Sequence, residues 1–431
     1  MRLLIVSPYF PPQRGAASVR LWSIAQQAVS AGHETEVLTI TKEPDQIGDW
    51  SESFDGSVYE IQPQTPGYLN KLRAQDLRQR TPSGTNGSGV TKSSPIHSVL
   101  GAIRTRSGVY SSVRMPDLTD HWVGPAIEWA QQHQQVHGPW DAVISSSGPY
   151  TAHLVAMHLK QSGWTNHWIA DFRDLWTANH AFNGLFPWTL RERKLEERVL
   201  SRADTITTVS PPLARWLSQR TSAPVEVIYN GYGDINLDSI TLNKHSFADQ
   251  IQLVYTGQLY PKHQDASAIL AAMKSASGSE INISLTIAGA SSEAWHRLAR
   301  RMGVQSLLTH LGEISHQHAL DLQRHADALI AFEWADTSAG VLTNKLFEYI
   351  AAGPPVLITG RAGPMSKLIH ETGRGIHLGQ HPEQVTRTLR SFLSAEHKTP
   401  EPNLELIQSL SRENQSKKLI GLCEQFDALV S

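Results

Sequence analysis

Two charged side chains three positions apart, Lys345 and Glu348, stand in the segment richest in chemistry, ADALIAFEWADTSAGVLTNKLFEYIAAGPPVLITG, residues 326–360. At that spacing they share one face of a helix. There the amine can meet phosphate oxygens. The plain alternative is an exposed ion pair between the two, worth a few tenths of a kcal/mol. Ser338, Gly340 and Thr343 lie just before the pair, so backbone N–H groups and a helix N-terminus would face the same place. Lys345 then falls in the first helical turn, where the dipole disfavours a cation by a few tenths of a kcal/mol unless an anion is near. A phosphate would reverse that preference.

A second group of charges sits in ADFRDLW, where Asp171, Arg173 and Asp174 would gather at the end of a strand. That end is the expected face for chemistry in a parallel sheet. The other account is that Arg173 bridges the two carboxylates and fixes the loop. Asp171 and Asp174 do not form a D-x-D motif, and the 20 histidines show no H-E-x-x-H spacing, so the chain is expected to use no metal and no other cofactor.

The elements that must hold these groups alternate between strands and helices. Residues 328–332 and 355–359 are short apolar runs flanking a helix-period segment, 343–352, which Gly353, Pro354 and Pro355 terminate. This is one βαβ unit, and its site would lie in the loop 333–344 at the carboxyl end of the strand. In the first half, strands are expected at 3–7, 36–40, 141–145, 168–171, 205–209 and 225–229, with helices at 18–30, 99–113, 123–137 and 151–161. The turn PPQRGAA after the first strand lacks the G-x-G-x-x-G fingerprint, which argues against a standard NAD site, while Gly15 would let a ligand approach the backbone. Residues 62–98 are polar and irregular and are expected to form a mobile insertion. The run RERKLEERVLSRAD, 191–204, alternates in sign and is expected to be a salt-bridged exposed helix, not a nucleic-acid patch. In the second half, strands are expected at 252–256, 284–288, 307–311 and 375–378, and the chain should end in one long helix, 404–429.

At 431 residues and 47.7 kDa the chain suits two domains of roughly 200 residues each. Lys plus Arg total 38 against 40 Asp plus Glu, so no global field favours nucleic acid or an anionic membrane. The one cysteine, Cys423, excludes an internal disulfide framework and a thiolate zinc site. The start MRLLIVSPYFPP carries too short an apolar run for a signal peptide, and no run approaches the roughly 18 residues of a membrane span. A cytoplasmic protein is expected, with peripheral membrane contact left open.

KLFEYIAAGPPVL closely resembles the nucleotide-sugar segment of GT-B glycosyltransferases of the group 1, or family-four, class. The resemblance implies an α/β GT-B fold, two Rossmann-like doubly wound parallel-sheet domains facing a cleft. The boundaries it implies are an acceptor domain at 1–233, a donor domain at 234–410 and a last helix, 411–431, crossing back to the first domain. It implies that Glu348 holds the ribose hydroxyls of the donor, within a pattern of two Glu residues whose first member falls at Gly340 here. Gly15 would face the donor diphosphate and the acceptor. Gly257 matches a Gly-Arg phosphate clamp in which Gln258 stands where the Arg would be, leaving Lys262 or His263 to supply the cation. Glu313 and Ile314 of GEIS would receive the nucleobase through backbone groups. Thr343 and Asn344 would open the helix toward the donor, and Asp171, Arg173, Asp174 and Lys345 would line the reacting centre. The implied activity is metal-independent transfer of a sugar, with retention, from a nucleotide sugar (a uridine diphosphate sugar) to an acceptor hydroxyl in glycan or glycoconjugate synthesis. A hydrolysing nucleotide-sugar epimerase, or a binding protein that keeps the donor cleft without turnover, shares the same implied fold.

Overall fold

The computed structural model describes residues 1–64 other than 14, 45, 46 and 49; 119–179; 187–237 other than 234 and 236; 250–276 other than 262; 282–336 other than 291; 340–394; and 401–430. Lys262, Ser338, the expected helix at 99–113 and nearly all of the expected insertion lie outside the described residues. By contacts the chain divides into two units, one of Met1–Thr208, Trp216–Glu226 and Leu419–Ser431, the other of Val209–Arg215 and Val227–Lys418.

From the amino terminus the chain runs β1 (Arg2–Val6), α1 (Ala16–Ser30), β2 (Glu34–Ile40), β3 (Ser57–Ile61), α2 (Asp120–His137), β4 (Trp140–Ser146), α3 (Thr151–Gln161), β5 (Thr165–Phe172), α4 (Trp188–Leu200), β6 (Thr205–Thr208), α5 (Pro211–Ser218) and β7 (Val225–Val227), all in the first unit except residues 209–215 and 227. The sheet order is β3-β2-β1-β4-β5-β6-β7, and the pairs from β3 through β6 are parallel. Strands buried on both faces need near-continuous apolar runs, which Leu3–Val6 and Ala142–Ile144 supply. β3 escaped the sequence reading for the converse reason: it is an edge strand with a mostly exposed surface and no apolar run.

The second unit repeats the plan with β8 (Gln250–Thr256), α6 (Ser267–Ala276), β9 (Asn282–Ala288), α7 (Ser292–Met302), β10 (Leu308–Gly312), α8 (His316–Arg324), β11 (Ala328–Phe332), α9 (Asn344–Ala352), β12 (Val356–Thr359), α10 (Pro364–Thr372), β13 (Gly375–Gly379), α11 (Pro382–Leu393), α12 (Leu404–Ser409) and the start of α13 (Arg412–Val430), whose residues from Leu419 on belong to the first unit. The order β10-β9-β8-β11-β12-β13 is parallel throughout. Alternate residues feed opposite cores: Leu253 and Tyr255 pack with Trp295 and Phe332, whereas Val254 packs with Leu346, Phe347 and Tyr349. That alternation aims the Tyr255 ring to one side of the sheet and holds α9 on the other.

Two helical expectations are corrected. The single helix at 404–429 is two, because Tyr232 N–H donates to the Leu410 carbonyl at 3.2 Å and the Tyr232 carbonyl accepts from Arg412 N–H at 2.8 Å, drawing the chain out of register there. The sign-alternating α4 is not a salt-bridged exposed rod. Its period places Glu192 and Glu196 inward, where they accept hydrogen bonds from the Trp176 indole and the Thr177 hydroxyl. Arg191, Lys194 and Arg198 are left on the exposed side.

Candidate functional site

In an open parallel sheet, ligands bind outside the carboxyl ends of the strands where the strand order reverses. In the second unit that point lies between β8 and β11. β8 ends in Thr256 and turns at Gly257, whose φ of 96° is open to glycine at little cost. A Cβ at Gly257 would lie 3.6 Å from the Lys345 amine, so the amine stands directly beside this turn. Lys345 donates to the Tyr255 hydroxyl at 2.5 Å and lies 3.9 Å from the centre of its ring. The Tyr255 hydroxyl in turn donates to the Gln258 carbonyl at 2.7 Å. The exposed Lys345–Glu348 pair is therefore not what forms. Burial pushes the Lys345 amine down to about 7, with the charge of Glu348 pulling the other way.

Glu348, on the next turn of α9, has a different neighbourhood. Its Oε1 lies 3.0 Å from His316 Nε2, and its Oε2 accepts from the Gln323 amide at 3.3 Å. The carboxylate keeps 17% of its side-chain surface exposed. The same Gln323 amide donates to Thr256 Oγ1 at 3.0 Å, and Thr256 N–H donates to the Tyr349 hydroxyl at 2.7 Å. A polar network thus joins α8, α9 and the end of β8.

The other expected residues of this unit fall around that frame. Thr343 caps α9 in extended geometry, but its hydroxyl makes no hydrogen bond, and Asn344 follows as the first helical residue. Gly340 is buried with φ 65°, and a Cβ there would meet Pro212 Cβ at 2.9 Å and Ser210 Oγ at 3.0 Å, all within the second unit. A Glu at that position has no room in this packing. Glu313 and Ile314 form the turn between β10 and α8, the first exposed and the second partly buried. Gln258 is exposed, and the His263 ring packs on Trp334 at 4.9 Å. Glu333, at the start of the expected site loop, instead caps α10, accepting from Ser366 N–H at 2.7 Å.

In the first unit the charges of Asp171 and Asp174 both act on Arg173, but the hydrogen bonds of this group differ from the bridging account. Asp171 is fully buried at the end of β5, and its partner is Arg20, not Arg173: Arg20 Nη2 donates to Oδ1 at 3.0 Å and Nε to Oδ2 at 3.2 Å. Ser146 on β4 and Thr207 on β6 stand in register with Asp171, and their hydroxyls add bonds of 2.7 and 2.9 Å. Burial alone would raise this carboxyl, yet the Arg20 charge and these hydrogen bonds outweigh it and leave its pKa lowered. The group is a buried anion with its charge balanced and both oxygens hydrogen-bonded. Arg173 donates to the Ser147 and Gly148 carbonyls at 2.6 and 2.8 Å, fixing the loop after β4, while Asp174 is exposed. Gly15 caps α1 with φ 125° and open space where a Cβ would go. Among the described residues no group of three or more His, Cys, Asp or Glu is placed to hold a metal ion, and no described helix is long and apolar enough to cross a membrane.

Sequence reasoning missed Arg20, Tyr255, His316 and Gln323. Arg20 had a signal: it shares the apolar face of α1 with Leu21, Ile24, Ala25 and Ala28, where a cation needs a buried carboxylate. Tyr255 is hidden in an apolar strand, and the two α8 residues signal nothing until α8 is laid against α9.

Residues 15–231 match the glycosyl transferase 4-like domain, and residues 250–395 match the glycosyl transferases group 1 domain. No curated protein matches the chain. Among solved structures, sucrose-phosphate synthase from Thermosynechococcus elongatus is similar with a TM-score of 0.66 at 13% identity, covering 100% of both chains. Anabaena HepE in complex with UDP has a TM-score of 0.61 at 14% identity, covering 99% of this chain and 100% of its own. The lipopolysaccharide outer core galactosyltransferase WaaB has a TM-score of 0.60 at 14% identity, covering 97% and 98%. At such identities these likenesses speak for the fold, two parallel-sheet α/β domains. With one domain match over each of its two sheets, the chain belongs to the group 1 glycosyltransferases of the GT-B fold.

Proposed function

We propose that the protein transfers a sugar from a uridine diphosphate sugar to an acceptor hydroxyl, with retention of configuration and without a metal. One observation carries the reading: a buried amine, Lys345, stands beside the Gly257 turn at the switch point of the sheet with a neutral phenol as its partner. The charge of Glu348 only partly offsets the burial of this amine, and a diphosphate supplies further negative charge beside it. Glu348, three residues on, accepts hydrogen bonds from the ribose hydroxyls, and the N–H groups that open α9 face the phosphates beside Lys345. HepE, of similar fold, is described in complex with UDP-glucose, which favours the same donor class here.

The chemistry follows from charge placement. As the bond from the sugar C1 to the diphosphate oxygen breaks, negative charge grows on the leaving phosphate, where Lys345 and the α9 N-terminus stabilise it. The acceptor oxygen bonds to C1 on the face the phosphate leaves, and the acceptor's proton passes to the departing phosphate oxygen. No side chain need act as the base, which suits a chain whose Asp171 is already fully engaged. Of the three charges in this stretch, Asp174 is the exposed one.

The test is turnover of a panel of UDP sugars with candidate hydroxyl acceptors in excess EDTA, with the anomeric configuration of the product read by NMR. Transfer with retention in chelator is expected. Release of UDP that no acceptor accelerates, or activity that returns only with a divalent ion, would overturn the reading.

A further inference from the structure

The carboxylate of Glu348 is held from two sides by one helix. His316 opens α8, and Gln323 lies seven residues on, two turns along the same face. Gln323 is fully buried and reaches Glu348 Oε2 from beneath at 3.3 Å, and His316, with 73% of its side chain exposed, reaches Oε1 from the solvent side at 3.0 Å. We infer that His316 and Gln323 are positioning residues that hold the Glu348 carboxylate ready for the ribose of the donor. The inference rests on the reading of Glu348 given above.

An ionised carboxylate offers about four acceptor positions. His316 and Gln323 fill two, which leaves two for a pair of vicinal hydroxyls. A glutamate on a helix surface otherwise samples several rotamers, and ordering it on binding weakens the complex; ordering it beforehand removes that cost. Gln323 does more than hold one oxygen. Its amide N–H group also bonds Thr256 Oγ1 at 3.0 Å, and Thr256 directly precedes Gly257, beside which the Lys345 amine lies. The ribose carboxylate and the phosphate-facing turn are thereby fixed in one frame. Gln323 Oε1 is buried with no hydrogen-bond partner among the described residues, a cost that an apolar side chain of the same size would avoid, so packing does not explain the amide. The hydrogen bond to Glu348 also raises the pKa of His316, which favours its donor form.

The experiment compares UDP with 2′,3′-dideoxyuridine 5′-diphosphate by calorimetric titration against the full-length protein and its His316→Ala and Gln323→Met variants. The unmodified protein is expected to prefer UDP by about 10-fold or more, because only UDP offers the hydroxyls. Each variant should bind UDP about 5- to 10-fold more weakly and the dideoxy nucleotide unchanged. In steady state the donor KM should rise while kcat stays within about twofold, and His316→Gln, which keeps an N–H donor, should restore most of the loss. Equal weakening of both nucleotides, or of neither, overturns the positioning role. If the unmodified protein does not distinguish the two nucleotides, the ribose role of Glu348 itself fails and takes this inference with it. His316 is exposed, so its variant keeps the test open if Gln323→Met does not fold.

Discussion

The amine of Lys345 rests 2.5 Å from the hydroxyl of Tyr255 and 3.9 Å from the centre of its ring, beside a glycine turn, and no carboxylate among the described residues is bonded to it. The ring face gives some attraction for a cation, on the order of 1–2 kcal/mol when desolvated, which only partly offsets the loss of water around a buried charge. The arrangement is therefore poised for an anion and strained without one.

Lys345→Met keeps the length of the stem and removes the charge. The unliganded variant is expected to be more stable than the parent at pH 6, by about 1–3 kcal/mol in urea denaturation, because it buries no cation. Its turnover should fall at least about 100-fold, since the leaving phosphate loses its stabilising charge. A variant that loses stability and keeps turnover would return Lys345 to an ordinary surface role.

The pH dependence of nucleotide binding follows with a definite sign. The free amine titrates at about 7, below its ordinary value of 10.5, because burial penalises the charged form. A bound diphosphate favours the protonated amine, so binding takes up a proton wherever the free amine is neutral. UDP affinity is expected to fall as pH rises from 7.5 to 9.5, by up to about tenfold per unit, with proton uptake measurable as a buffer-dependent heat. Lys345→Met should show neither. The unliganded protein should move the other way over this range, gaining stability as pH rises from about 7 toward 10.5, because the unfolded chain keeps a proton that the folded amine has lost. Constant UDP affinity across this range would contradict the placement of the amine.

Arg20 and Asp171 form a buried pair in the first unit. Asp171→Asn leaves the guanidinium buried without its counter-charge and is expected to cost about 3–5 kcal/mol of stability, whereas exchange of both partners for apolar residues should cost less than the sum of the single changes. Denaturant melts of the two single variants and the double variant measure this. If Asp171→Asn melted like the parent and had lost only turnover, the carboxylate would belong to the chemistry after all.

The doubly wound plan was legible because parallel strands buried on both faces leave continuous apolar runs, as at residues 3–6 and 328–332. The Lys345–Glu348 spacing was equally visible, and both side chains face polar partners near the switch point. What the sequence hid was the identity of those partners. Lys345 meets Tyr255 from β8, and Glu348 meets His316 and Gln323 from α8, contacts separated by 25 to 90 positions that only the folded sheet brings together. The partner of Asp171 in the cluster at 171–174 was hidden for a related reason. Adjacent charges in sequence suggested mutual pairing, whereas strand register placed Asp171 between Ser146 and Thr207 and gave its charge to Arg20, 151 positions away. The polar period of α4 was read correctly as helical but not as two-faced, because nothing local marks Glu192 and Glu196 as the buried members.

The central claim is that Glu348 accepts the ribose hydroxyls of the donor. UDP titration of Glu348→Gln against the parent, with melting temperatures to confirm folding, tests it most directly. Glutamine keeps the shape and one acceptor oxygen but loses the charge, so UDP binding is predicted to weaken by about 1–3 kcal/mol, roughly 5- to 150-fold, with the fold intact. Unchanged UDP affinity in a folded Glu348→Gln protein would contradict the claim and leave the donor site without its ribose ligand.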